Sequence, residues 1–425
     1  MSTTSISSQP LAEGAVLLTG ATGFLGMELL ARYLQRTDRP VYALIRAADQ
    51  EQATARLLAA ADQVVAGADR FHDRLFAVRG DIAEPGLGLT ERERDALAQT
   101  VTEIVHAAAS VEFTLPLEQA RAINVEGTRN LLELGERCMR RGGLRRFSHV
   151  STAYVAGTHR GTFAEDDLDL GQRHRNTYER TKWEAERLVR SRMGELPIQV
   201  FRPSIVVGES DTGWTPAFNV IYAPLKAFAK GATFPVMPAR RASPVDVVPV
   251  DYVADAIFTL SGYPAGAGET YSLAAGPQAS TVGELIDLSA CTFERRRPLA
   301  LHPALYRRTV HNALLRRSEG ARRRWLERSE VFYPYFALRA RYDTTRARAA
   351  LAPAGIDVPR LAGYFDRLVD FALAAEWGHR PLTRVAAADV RLRRRPGPMP
   401  ATPPGVTPQR IAAVRRELEH ARARA

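Results

Sequence analysis

Tyr178 and Lys182 stand four residues apart in the stretch NTYERTKWEAERLV, and Ser151 and Thr152 precede them in HVSTAYVAG. On a helix, residues i and i+4 share a face. A phenol and an ammonium placed there can exchange a proton with a bound carbonyl group, while a neighbouring hydroxyl such as Thr152 holds the carbonyl oxygen where negative charge develops. The lysine charge would favour phenolate and lower the tyrosine pKa from its usual value of about 10. The same spacing also describes any solvated surface helix. Which reading holds depends on the elements that must position these groups.

Those elements alternate. AVLLT, VYALI, LFAVRG, TEIVHAA, RFSHVST and IQVFRPSIVVG read as buried strands, separated by amphipathic stretches such as FLGMELLARYLQR and ADQEQATARLLAAADQVV. Alternation of this kind implies parallel pairing through right-handed crossovers, hence an α/β fold with a Rossmann-type doubly wound sheet. Ligands bind such sheets at the carboxyl ends of the strands. In LLTGATGFLG, Gly20, Gly23 and Gly26 fall between the first strand and the first helix, the context a dinucleotide-binding turn requires. Gly20 permits the tight turn, Gly23 lets a pyrophosphate approach the backbone, and Gly26 lets helix and sheet pack closely. The second strand ends at Arg46, where an NAD-specific site would carry an acidic residue. A guanidinium there suits a 2′-phosphate and points to NADPH, with Arg56 as a second contact or a solvated surface residue. Asp81 and Ile82 would edge the adenine ring, and the small side chains of Ala107, Ala108 and Ala109 would leave room for the cofactor. His106 has no partner at metal-ligand spacing and reads as a packed histidine; no metal site is expected.

The combination of LLTGATGFLG, YALIRA, GDIAEPGLGL, HAAASVEF, NVEGTRNLLEL, HVSTAYVAG, YERTKWEAERLV and RPSIVVGESDTGW resembles the extended short-chain dehydrogenase/reductase superfamily, with its TGxxGxxG turn and YxxxK pair. Within it the sequence resembles the thioester-reductase branch, which includes male-sterility-type fatty acyl-CoA reductases and the reductive release domains of peptide and polyketide synthases. The resemblance covers about residues 15–275. It implies cofactor contacts at Gly20, Thr22, Gly23, Phe24, Leu25, Gly26, Arg46, Arg56, Asp81, Ile82, Ala107, Ala108, Ala109, Lys182, Pro203 and Ile205, and catalytic roles for Thr152, Tyr178 and Lys182. The implied reaction is NADPH-dependent reduction of an acyl thioester, bound to coenzyme A or to an acyl carrier protein. Tyr178 donates the proton, and a hemithioacetal collapses to thiol and aldehyde. A second reduction would carry the aldehyde to an alcohol. Reduction or oxidation of a free ketone or alcohol, and sugar-nucleotide epimerase or dehydratase chemistry, remain alternatives.

The domain plan follows the composition: a flexible N-terminus (1–14), the catalytic domain (15–280) with a lid or pocket insertion at 210–240, a smaller C-terminal substrate region (281–385), and a basic, Pro-rich tail (386–425). The 425 residues carry a net charge of +11, and from Thr292 to Arg348 fifteen Arg face five acidic residues. That stretch would suit an acidic carrier protein or the phosphates of coenzyme A; without a recognition motif, nucleic acid is not an expected partner. Two cysteines give no disulfide framework, and neither a signal peptide nor an apolar run of membrane-spanning length is visible. A cytoplasmic, soluble protein is expected.

Overall fold

The computed structural model describes residues 14–218, 220–231, 236–263 and 266–393. Apart from Gly14, the expected flexible N-terminus lies outside the described residues, as does the tail beyond Arg393. A seven-stranded sheet runs through the centre. Its strands are β1 (Ala15–Thr19), β2 (Val41–Ile45), β3 (Leu75–Arg79), β4 (Val101–His106), β5 (Arg146–Val150), β6 (Ile198–Pro203) and β7 (Thr270–Leu273), in the order β3-β2-β1-β4-β5-β6-β7. Every pairing is parallel, as the strand–helix alternation requires. The order reverses between β1 and β4, which opens a crevice at their carboxyl ends.

β1 shows why the sheet is sandwiched. Val16 and Leu18 join one core cluster with Met27 and Leu30, whereas Ala15 and Leu17 join another with Leu131 and Phe147. Successive strand residues point to opposite faces, so a run of five apolar or small residues is buried on both. The covering helices are α1 (Phe24–Arg36), α2 (Gln50–Val64), α3 (Glu91–Thr100), α4 (Gly127–Arg141), α5 (Thr177–Arg190) and α6 (Val250–Ser261). Their starts are written locally. Asp49 accepts from the Gln52 amide, Thr90 and Glu93 form a reciprocal capping box, and Asn176 accepts from the Glu179 amide.

The C-terminal third is woven into this body rather than appended to it. Ala340–Tyr342 pairs in parallel with Gly161–Phe163, and Ser280–Thr281 pairs with Pro244–Val245. The buried Glu165 carboxylate accepts from the amides of Ser272, Arg346 and Ala347 and so ties three distant segments together. Ala347, Leu351, Phe371 and Ala387 belong to the same core cluster as Val16. A helix at Arg384–Arg393 runs across the boundary expected at 385. The segment expected as a lid at 210–240 begins with a fully buried Trp214, which packs edge-on against Phe24 and donates its indole N–H to the Leu382 carbonyl at 3.0 Å. Its first part is therefore core; a short helix follows at Tyr222–Ala229. Among the described residues, no helix is long and apolar enough to cross a membrane.

Candidate active site

The turn after β1 approaches the neighbouring strand end closely. Gly20 has φ +78°, and a Cβ there would lie 2.8 Å from the Ala107 carbonyl carbon. A Cβ on Gly26 would overlap the Gly20 carbonyl oxygen. Gly23 is exposed and stands at the N-cap of α1, with no side chain bonded to the helix amides and no acidic residue in the first turn. This leaves an open set of amide donors at the positive end of a helix, the arrangement that takes a pyrophosphate. Thr22, Phe24 and Leu25 line the same turn, each half-buried.

Around this turn the other expected contacts fall on the same edge. Arg46, exposed at the end of β2, has its carbonyl bonded by the Arg56 guanidinium, so the two cations stand together. Asp81 and Ile82 follow β3; one Asp81 carboxylate oxygen accepts from the Ala83 amide, and Ile82 packs on Gly127. Ala107, Ala108 and Ala109 continue β4, with the Ala107 and Ala108 amides held by the carbonyl and hydroxyl of Thr19. Pro203 is the last residue of β6, and Ile205 lies in the short strand after it, paired with Val247. The glycine cradle and the uncapped helix end fit a dinucleotide.

α5 delivers the proposed proton donor to the same edge. Lys182 is buried and donates to the carbonyl of Val150, the last residue of β5, at 2.8 Å. Burial lowers its pKa to about 8, against the opposing pull of Glu186. Tyr178, one turn earlier, is half-buried under Phe113, their rings stacked with centroids 5.7 Å apart. Desolvation raises its pKa to about 12, while a hydrogen bond with the Thr152 hydroxyl acts the other way. The lysine-driven depression expected from the i, i+4 spacing is therefore not seen in the protein alone: burial and then the Thr152 hydroxyl and Glu179 set the direction. The ammonium is tied to a backbone carbonyl, and the phenol has lost its water.

Three features of the site escape a reading by spacing. Asn124 lies in a π-turn (Ala122–Glu126) entering α4, bonds the Ser110 amide and carbonyl, and donates to Thr181 on α5. It fixes the loop after β4 against the helix that carries Tyr178. An aromatic wall closes the other side: Phe113 also stacks on Tyr335 at 5.5 Å, with Phe332 at 5.8 Å. Asn176 donates to the Tyr335 hydroxyl, which donates to Glu179, each at 2.6 Å. The wall opposite Phe113 thus comes from residues 330–337, not from the 210–240 segment alone. The third feature is a histidine pair beneath Lys182. His106 is buried, with its ring nitrogens on Thr19 at 2.8 Å and Thr128 at 3.1 Å, and His149 lies 5.4 Å away ring to ring.

Burial, then the Lys182 charge, drives His106 down to about 3, and His149 moves the same way. Both folded-state values lie below the unfolded value near 6.5, so the unfolded chain binds more protons between pH 6.5 and 3. The contribution of this pair to stability should be fully present above about pH 7 and fall progressively below it. Urea midpoints from pH 7.5 to 4.5 should show this fall, and His149→Phe, which keeps a buried ring without a titrating group, should reduce the slope. An unchanged slope would assign the acid sensitivity to other groups.

A family model described as male sterility protein matches residues 18–257. The chain is 33% identical over 272 residues to the nonribosomal peptide synthetase asaC of Aspergillus flavus, covering 61% of this chain and 26% of that protein. To the fatty acyl-CoA reductase wat of Drosophila melanogaster it is 29% identical over 288 residues, covering 57% and 53%. It spans less than two thirds of either relative. Among solved structures, the terminal R domain from the myxalamid PKS-NRPS biosynthetic pathway aligns with a TM-score of 0.74 at 28% identity, over 88% of this chain and 94% of that one. With the parallel sheet and its glycine turn, these matches place the chain in the male sterility protein family, oxidoreductases of the extended short-chain type that use a nicotinamide dinucleotide.

Proposed function

We propose that this protein reduces an acyl thioester, carried by coenzyme A or an acyl carrier protein, to the aldehyde with NADPH as reductant. The observation that carries the reading is the match to a synthase-terminal R domain along nearly the whole of that domain, with Thr152, Tyr178 and Lys182 gathered at the strand ends. In this reading the Gly20–Gly26 turn and the α1 amides hold the pyrophosphate, Asp81 and Ile82 flank the adenine, and Ala107 to Ala109, Lys182, Pro203 and Ile205 line the path to the nicotinamide. The bound dinucleotide supplies hydride.

The chain's own residues do the rest. Thr152 and Tyr178 hold the thioester carbonyl oxygen between two hydroxyls. Because its pKa is held near 12, Tyr178 is a neutral phenol at physiological pH and can give its proton to that oxygen as the hemithioacetal forms. Lys182, with a pKa near 8, is mostly cationic at pH 7 and stabilises the phenolate left behind. Phe113, Tyr335 and Phe332 exclude water from one side, which strengthens these interactions. Collapse of the hemithioacetal then releases thiol and aldehyde.

The test is to incubate the purified protein with NADPH and a panel of acyl-CoA, acyl-carrier and free-carbonyl substrates, following absorbance loss and identifying aldehyde or alcohol. Turnover confined to free ketones would overturn the thioester reading. The cofactor choice is tested separately. Removing one charge-assisted contact costs about 1.5–3 kcal/mol, so Arg46→Ala should weaken NADPH binding at least tenfold and NADH binding much less. Fluorescence titration of both nucleotides measures this, and an unchanged preference would remove Arg46 from the 2′-phosphate site.

A further inference from the structure

Arg240, Arg339 and Arg341 converge on one cleft of about 230 Å³, together with Ser243 and Leu338. Their neighbour Arg241 pairs with Asp287 at 2.8 Å. Among the described residues none of the three has a carboxylate or other side-chain partner. Three uncompensated cations lining one small cleft repel one another, and a bound anion relieves the repulsion. Guanidinium forks match phosphate oxygens in particular. Ser243 adds an independent sign. It is 2% exposed, and its hydroxyl has no hydrogen-bond partner among the described residues, a cost that an oxygen-rich ligand in the cleft would remove.

The cleft also borders the aromatic wall of the candidate site through Leu338. Leu338 is buried in a cluster with Tyr154 and Tyr335, and the Arg240 amide donates to the Phe336 carbonyl. From Tyr335, two ring-to-ring steps of 5.5 and 5.7 Å through Phe113 reach Tyr178. A ligand with its anionic end among the arginines needs a long, flexible arm to pass the aromatic wall and reach Tyr178. Biological acyl thioesters have this form: an uncharged pantetheine arm with the acyl group at one end and a phosphate at the other.

We propose that this cleft binds the phosphate of the pantetheine arm that presents the thioester, an inference that rests on the thioester reading above. The same phosphate occurs in coenzyme A and on a carrier protein, so the chemistry is shared between the two sources.

Calorimetric titration of the full chain with phosphopantetheine and with pantetheine tests it without turnover. Phosphopantetheine should bind at least tenfold more tightly, and the ratio should collapse toward one in Arg339→Glu/Arg341→Glu and at high salt. The salt series on the unmodified protein keeps the test decisive if the double variant fails to fold. Equal binding of the two ligands, or a ratio insensitive to both salt and variant, would overturn the proposal. So would a preference shown for coenzyme A but not for phosphopantetheine, which would put nucleotide phosphates in the cleft. With acyl-CoA and acyl-carrier substrates, a parallel rise in KM in the variant indicates that either source is accepted, and a rise with one alone identifies it. If no thioester is reduced while the binding ratio holds, the functional reading fails and the cleft assignment stands. Thioester turnover with a ratio of one sinks the cleft alone.

Discussion

Tyr178→Phe should lower kcat by roughly 10²–10⁴ while leaving NADPH affinity within about twofold, because a positioned general acid contributes about that much to a proton-coupled step. The substitution removes one oxygen and keeps the ring that stacks on Phe113 at 5.7 Å. The fold around α5 is retained, since its N-cap bond from Asn176 and the Lys182–Val150 hydrogen bond do not involve the phenol. Thr152 and Lys182 would remain, so a residual rate from orientation alone is expected. Steady-state kinetics on a thioester substrate, paired with nucleotide titration, measures both quantities. Activity within a factor of five of the unmodified protein would place the proton donor elsewhere.

The largest expected loss of stability lies behind the site. Arg202 on β6 is fully buried and donates to the equally buried Glu186 of α5 at 2.7 Å from Nη2 and 3.1 Å from Nε. It also bonds the Glu165 and Asp167 carbonyls, and its guanidinium lies 5.1 Å from the Phe163 ring centroid. Burial alone would raise the Glu186 pKa, yet the guanidinium groups of Arg202 and Arg190 hold it below the usual range. Arg202→Leu leaves that carboxylate with only part of its compensation and should destabilise the protein by about 3–5 kcal/mol, the usual effect of removing one partner of a buried pair. Urea denaturation followed by circular dichroism reads the change. Arg202→Leu combined with Glu186→Leu should recover a substantial part, because no unpaired charge then remains. A single-variant loss below about 1 kcal/mol would show that Arg190 and the Ser151 hydroxyl, 2.6 Å from Glu186, suffice for the carboxylate.

The parts of this architecture that could be read from sequence are those specified over short distances. The β1 alternation, the glycine turn and the Tyr178–Lys182 spacing all lie within single elements, and local sterics and periodicity determine them. Glu186 and Arg202 look like ordinary surface charges until β6 is placed against α5. Tyr335 reads as one aromatic residue among several in VFYPYFALRA, and its partner Glu179 is 156 positions away. Asn124 opens NVEGTRNLLEL, but nothing in that stretch marks it as the residue that bonds the loop after β4, because a π-helical turn has no distinctive spacing. The expected separation at 280/281 failed to anticipate the strand pairing of Ala340–Tyr342 with Gly161–Phe163 because composition reports where a chain changes character, not what it returns to touch.

That returning strand has a consequence for the order in which the protein is made. A chain leaving the ribosome folds from its N-terminus, so the nucleotide crevice and the Tyr178 helix can assemble before residues 330–342 have been synthesised. Until then Tyr178 lacks the Phe332–Tyr335 side of its enclosure and faces water. The enclosure around Tyr178 therefore forms only once residues 330–342 have joined the helix that carries it.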